Sequence, residues 1–201
     1  MSIYDRDLDR NAANFVALSP TSFVERSGEV FADLPAVIHG ARRTTWSQTR
    51  DRSARLAAAL RAQGVARNST VSVMLHNTPE MVEVHYAVPG LNAVLNTLNT
   101  RLDAPLLAWQ MNHCEAAVVI TDREFAPVMA PALQALREQF GRTPAVIDVA
   151  DAEYTGPGDL LGSHEYEALL AAHAPLAALQ GPADEWDAIA VSYTSGTTGD
   201  P

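Results

Sequence analysis

Ala188-Ile189-Ala190-Val191-Ser192-Tyr193-Thr194-Ser195-Gly196-Thr197-Thr198-Gly199-Asp200-Pro201 is the stretch that decides the fold. Residues 188–193 form a nearly continuous apolar run with β-formers. Such a run predicts a strand buried on both faces, as in a parallel sheet. Residues 194–199 hold only hydroxyl side chains and glycines. A buried strand opening into such a loop suits phosphate. Glycines let the backbone close around an anion, while successive N–H groups and hydroxyls aim at its oxygens. An ordinary polar turn shares this composition. The string is no Walker loop, because Asp200 and Pro201 follow Gly199 where a Lys-Ser/Thr pair is needed.

Upstream, strands and helices alternate. A helix is predicted over 20–31, capped by Ser19 or Thr21, with Phe23, Val24, Ser27, Val30 and Phe31 on its buried side. Residues 36–39 and 44–46 read as a hairpin around Gly40-Ala41. A helix over 47–63 starts at Ser47, buries Leu56 and Leu60, and stops at Gly64. Residues 70–75 form a strand. Asn77-Thr78-Pro79-Glu80 opens a helix with Met81, Val84 and Val88 as its apolar stripe, closed by Pro89. A strand over 93–95, a loop over 96–101 and an Asp103-capped helix to about residue 112 follow. Next come a strand over 116–120, a helix over 125–140 with Met129, Leu133, Leu136 and Phe140 on one side, and a strand over 145–149. An acidic loop over 150–162, a helix over 163–172 and a linker over 175–186 lead into the final strand. The alternation predicts an α/β fold, a parallel-sheet-rich layered βα architecture in one domain over 1–201. In such sheets ligands bind beyond the carboxyl ends of strands, where residues 194–199 fall.

Composition narrows the function classes. At 47% hydrophobic and 19% charged, the chain has the make-up of a soluble globular protein. No apolar run is long enough to cross a membrane, and residues 1–14 lack the apolar core of a secretory signal. Cys114 is the lone cysteine, which fits a reducing, cytoplasmic setting and a small buried side chain. All 14 basic residues are Arg, and all lie within residues 1–142 beside 14 acids; residues 143–201 carry 10 acids and no base, the whole net charge of -10. Nucleic-acid binding is excluded on this balance. The concentration Arg42, Arg43, Arg50, Arg52, Arg55, Arg61 and Arg67 reads as a solvated face. A nucleotide held at the acidic end needs a metal ion or cations from elsewhere. The six His show no metal-ligand spacing, Ser195 lacks the context of a hydrolase nucleophile, and Asp184, Glu185 and Asp187 read as a solvated turn around Trp186.

The string from Tyr193 to Pro201 resembles the phosphate loop of the adenylate-forming (AMP-binding) enzymes, a superfamily of acyl-CoA synthetases, luciferases and peptide-synthetase adenylation domains. The segment Asn77-Thr78-Pro79-Glu80-Met81 to Pro89, the run from Ala93 to Leu102, Trp46 with its helix, and Asp184 to Asp187 are similar to the acyl-activating branch. Asn92 departs from that branch, where a small residue, often Gly, precedes the strand.

The resemblance implies the truncated amino-terminal portion of a large adenylation domain, ending in the phosphate loop and without the carboxy-terminal lid. It implies an acyl-CoA synthetase that joins a fatty or related carboxylic acid to ATP with Mg²⁺, giving acyl-adenylate, and passes the acyl group to coenzyme A. By motif position Thr194, Ser195, Gly196, Thr197, Thr198 and Gly199 contact the ATP phosphates. No catalytic or metal-binding residue is carried over, so the chain alone is expected to be inactive and, with uncovered apolar faces, to self-associate. The alternatives are a non-catalytic nucleotide-binding or interaction module, and an adenylation domain serving another acceptor.

Overall fold

Thr70–Met74 (β3) is buried at every position. A strand of alternating Val with no exposed side belongs at the centre of a sheet covered on both faces. The computed structural model, which describes residues 2–194, has this arrangement. β3 lies between Val94–Thr97 (β4) and Ala116–Asp122 (β5), and both pairings are parallel. Ala145–Val149 (β6) and His164–Glu165 (β7) extend the sheet beyond β5, and Ala190–Val191 (β8) extends it beyond β4. The order is β7-β6-β5-β3-β4-β8, parallel throughout. Pro35–His39 (β1) and Arg42–Thr45 (β2) make a separate antiparallel hairpin.

Alternation along the strands divides the core in two. Val71, Val73, Val118 and Ile120 face one apolar cluster, which includes Val24, Leu56, Leu60, Val84 and Leu170. These come from the helices Pro20–Val30 (α1), Trp46–Ala62 (α2), Pro79–Ala87 (α3) and Tyr166–Ala171 (α6). Met74 and Val119 face the other cluster, with Leu107 and Met111 of Ala104–His113 (α4) and Met129 and Leu136 of Ala126–Phe140 (α5). The layered α/β expectation is met.

Several local expectations are corrected. In α1, Phe23 and Val30 are 58% and 56% exposed, its C-cap Phe31 is 40% exposed, and the buried residues are Thr21, Val24 and Gly28. Close approach to α2 selects the small side: a Cβ at Gly28 would stand 2.8 Å from the Arg50 Cβ. Helix α2 is capped by Thr45 rather than Ser47, through a reciprocal box with Gln48. Asn96 and Thr97 belong to β4, not to a loop. The helix placed over 163–172 begins at Tyr166, after β7, and Glu165 caps it. Arg52 and Arg42 are not a solvated face, because both engage buried carboxylates.

The final strand is also corrected. β8 is a two-residue edge strand, with Ala188, Ala190 and Ser192 exposed and Ile189, Val191 and Tyr193 half-buried. Its register, Leu95↔Ala190 and Asn96↔Val191, puts Val191 on the α4 side, where the chain is covered. On the other side, α3 leaves a groove of about 560 Å³ floored by Leu95, Ile189 and Ala190 and walled by Met81, Val82 and Tyr86. That open face is why the strand is not buried twice over.

Candidate functional site

All six strands run the same way, so their carboxyl ends share one rim. β8 ends at that rim, and the predicted phosphate loop follows it in sequence. Thr194, its first residue, is exposed beyond the strand. Ser195, Gly196, Thr197, Thr198 and Gly199 lie outside the described residues.

Tyr193, immediately before Thr194, is anchored. Its hydroxyl is 2.8 Å from Nδ1 of His113 and 3.4 Å from the carbonyl of Gln110, both on α4. The Trp109 and His113 rings stack at 5.0 Å and 15°. The Tyr193 ring stands edge-on to both, at 5.9 and 5.7 Å. Burial, reinforced by neighbouring Cys114, pushes the Tyr193 phenol up to about 12. Beneath it, Asn96 donates from Nδ2 to Ser72 Oγ at 3.0 Å and to Cys114 Sγ at 3.3 Å. The six histidines show no metal-ligand spacing in sequence. The four-residue spacing of Trp109 and His113, one helical turn, was the available signal for this cluster.

A second polar cluster lies where α2, α3 and α6 meet. Arg52 donates from Nε to Glu83 Oε1 at 2.6 Å, and from Nη2 and Nη1 to the two oxygens of Glu167 at 2.6 and 2.8 Å. Tyr166 donates to Glu83 Oε2 at 2.7 Å, and Arg42 donates to Glu80 at 2.7 Å. Burial pushes the Glu83 carboxyl above its ordinary range, with Arg52 and Tyr166 pulling the other way. Burial opposes the charge on Arg52, but Glu167 and Glu83 outweigh it and hold the guanidinium firmly protonated. Glu167 also loses solvation, yet Arg52 holds it below the ordinary glutamate range. We assign charges to both Arg52 and Glu83, because two hydrogen bonds join them and Tyr166 donates a third. In sequence Glu80 reads as an acid near the positive end of a helix start, and Glu83, in the middle of α3, carries no signal of its partners.

The acidic loop after β6 is tied down. Asp148 accepts from the Leu161 and Gly162 amides at 2.8 and 2.7 Å. Arg123 donates to the carbonyls of Tyr154 and Gly156 at 2.6 and 3.1 Å. Both oxygens of Asp151 lie 2.9 Å from His39 Nε2, joining the loop to the hairpin. Of the acids around Trp186, Asp187 pairs with Arg67 and Glu185 accepts from the Leu18 amide at 2.8 Å. Among the described residues, no group of three or more His, Cys, Asp or Glu is arranged to hold a metal. Nor is any helix there long and apolar enough to cross a membrane.

Comparison with known proteins gives a consistent result. The family described as AMP-binding enzyme matches residues 24–201. A peroxisomal acetate/butyrate–CoA ligase of Arabidopsis thaliana is 40% identical over 97% of the chain and 36% of its own length. An acetate–CoA ligase of Humulus lupulus is 38% identical over 100% of the chain and 37% of its length. The chain thus spans little more than a third of these relatives. Among solved structures, an anthranilate–CoA ligase in complex with anthranoyl-AMP superposes with a TM-score of 0.79 at 23% identity, over 96% of this chain and 35% of that one. The N-terminal domain of a Mycobacterium tuberculosis protein, FACL13, superposes at 0.73 with 27% identity, over 92% and 43%.

Proposed function

The chain belongs to the AMP-binding enzyme family, and on that premise we propose that it is the amino-terminal portion of a carboxylic acid–CoA ligase. The observation that carries the reading is the string 194–199, which follows in sequence the parallel strand β8. The CoA-ligase names of the relatives support it. The substrates are MgATP, a carboxylic acid and coenzyme A.

In this reading the carboxylate attacks the α-phosphorus of ATP, the bond to the bridging oxygen breaks, and pyrophosphate leaves. Negative charge grows on the leaving group. The hydroxyls of Thr194, Ser195, Thr197 and Thr198, with the backbone N–H groups of the loop, donate to the β- and γ-phosphate oxygens and stabilise that charge. Gly196 and Gly199 let the backbone approach. Magnesium arrives with the nucleotide as part of the substrate. Residues 143–201 offer no cation of their own, so this portion supplies hydrogen bonds and leaves charge neutralisation to other groups.

Short aliphatic or aryl acids are the substrate class, as in the names of the ligases for acetate, butyrate and benzoate. The compartment in this reading is the cytoplasm. Self-association through the β8 edge belongs to the same reading, since residues 188–193 carry no charge or proline to blunt pairing.

Calorimetry with MgATP on the 201-residue chain tests the nucleotide half. The expected result is binding that weakens when Thr194, Thr197 and Thr198 are changed to Ala; no heat from the unsubstituted chain overturns it. Isotope exchange between ATP and pyrophosphate, with acetate, butyrate or benzoate, is expected to be silent in this chain. Exchange above background would overturn the claim that this portion is inactive alone.

A further inference from the structure

β8 is held to the sheet by only two register positions. A ladder that short fixes a strand poorly. The chain nevertheless reaches the rim with a large side chain clamped from a helix 80 residues away in sequence. The clamp has a firm base. Asp103 caps α4 through the Leu106 amide at 3.1 Å, and Leu107, Ala108, Gln110 and Met111 bury its inner side. Trp109 and His113 stand one turn apart near its end, stacked on each other. Tyr193 is edge-on to both rings, with its hydroxyl against His113 and Gln110. Two ring faces and a hydroxyl anchor together leave the Tyr193 side chain one orientation.

We propose that His113 and Trp109 are positioning residues for nucleotide binding. By clamping Tyr193, they set where Thr194 leaves the sheet and therefore where the phosphate-contacting loop begins. The inference rests on the phosphate-loop reading above. Hydrogen bonds to an anion are sensitive to placement: a displacement of about 1 Å in a positioned group is worth up to about a hundredfold in function. His113 touches no nucleotide in this scheme. It acts through Tyr193, and Trp109 acts through both.

The test uses the 201-residue chain with His113→Ala, Tyr193→Phe and His113→Asn. The Asn amide takes the place of Nδ1, and its oxygen or its NH2 keeps a partner for the Tyr193 hydroxyl whichever of the two donates. Three readouts are taken: the MgATP dissociation constant by calorimetry, the thermal midpoint, and amide hydrogen exchange at Tyr193 and Thr194. His113→Ala and Tyr193→Phe are expected to weaken MgATP about three- to tenfold and to speed exchange at Thr194. The thermal midpoint should stay within about 2 °C, and His113→Asn should recover most of the affinity. Affinity unchanged in His113→Ala overturns the proposal, as does a loss that merely tracks the thermal midpoint. If the unsubstituted chain binds no MgATP, the phosphate-loop reading fails and the nucleotide role falls with it. Exchange then decides the clamp itself: faster Thr194 exchange in His113→Ala retains it as a fixing contact, and unchanged exchange overturns that too.

Discussion

Arg52 Nε lies 2.6 Å from Glu83 Oε1, and only 1% of the glutamate side chain reaches solvent. The pair ties the second turn of α2 to the middle of α3, and Tyr166 and Glu167 bring in α6. Removing one partner of a buried ion pair strands the other. Arg52→Met is therefore expected to lower unfolding stability by about 3–5 kcal/mol, read from urea denaturation. The double variant Arg52→Met/Glu83→Gln should lose less than Arg52→Met alone. A double variant at least as unstable as the single one would contradict an unpaired-charge origin.

The same glutamate gives a pH signature. Its carboxyl is raised in the fold, chiefly by burial, above the ordinary value of 4.5. Between that value and the raised one, the folded chain holds more protons than the unfolded chain. The Glu83 contribution to stability therefore falls as pH rises through this window. Glu167 has the opposite sign. Its carboxyl is lowered, so its contribution is present above 4.5 and is lost as pH falls through the lower folded value. Thermal midpoints measured every half unit from pH 3 to 7 should show Glu83→Gln removing a decline above about pH 4.5, while Glu167→Gln flattens the acid limb below it.

Gly162 sits against the backbone carbonyl of Val146, and a Cβ there would overlap that oxygen. Its amide also donates to Asp148 Oδ2 at 2.7 Å. Gly162→Ala must push the loop off β6 and is expected to destabilise by about 1–3 kcal/mol. Chemical denaturation reads this directly. Limited proteolysis should show earlier cleavage within 150–162, and an unchanged digestion pattern would count against the tie.

Asn92 takes a left-handed backbone at φ 56°, capping the turn after α3, and its buried Oδ1 has no hydrogen-bond partner. Glycine adopts that conformation freely, and removing the side chain also removes the orphaned oxygen. Asn92→Gly is expected to stabilise by about 1 kcal/mol, whereas Asn92→Ala should destabilise. A loss of stability in Asn92→Gly would mean that the side chain packs favourably despite its unpaired oxygen.

The fold was legible where signals were local and periodic. The strand expected over 70–75 is found at Thr70–Met74, and Gly64 stops α2 with φ 89°. Asp103 caps α4 from its spacing alone. What escaped the sequence depended on partners. The direction α1 faces is set by how closely α2 approaches at Gly28, and no periodicity in α1 reveals that. Residues 188–193 look the same in a central strand and in one with a single covered face; only the neighbours of β8 tell them apart. At the site, the residue string carried the phosphate reading. The His113–Tyr193 contact joins positions 80 apart and has no local signature. Likewise, Arg52 and Glu83 appear as ordinary helix-surface charges until α2 and α3 are packed together.

The strand order β7-β6-β5-β3-β4-β8 also bears on synthesis. β3 is the first sheet strand to leave the ribosome, and every later one pairs with a strand already made: β4 and β5 with β3, β6 with β5, β7 with β6, and β8 with β4. Among the described residues the sheet therefore grows outward from its oldest member, each strand after β3 meeting a partner already translated. Vectorial folding from the amino terminus suits such an order. Thr194, which opens the string proposed above to contact phosphate, emerges after every described strand of the sheet.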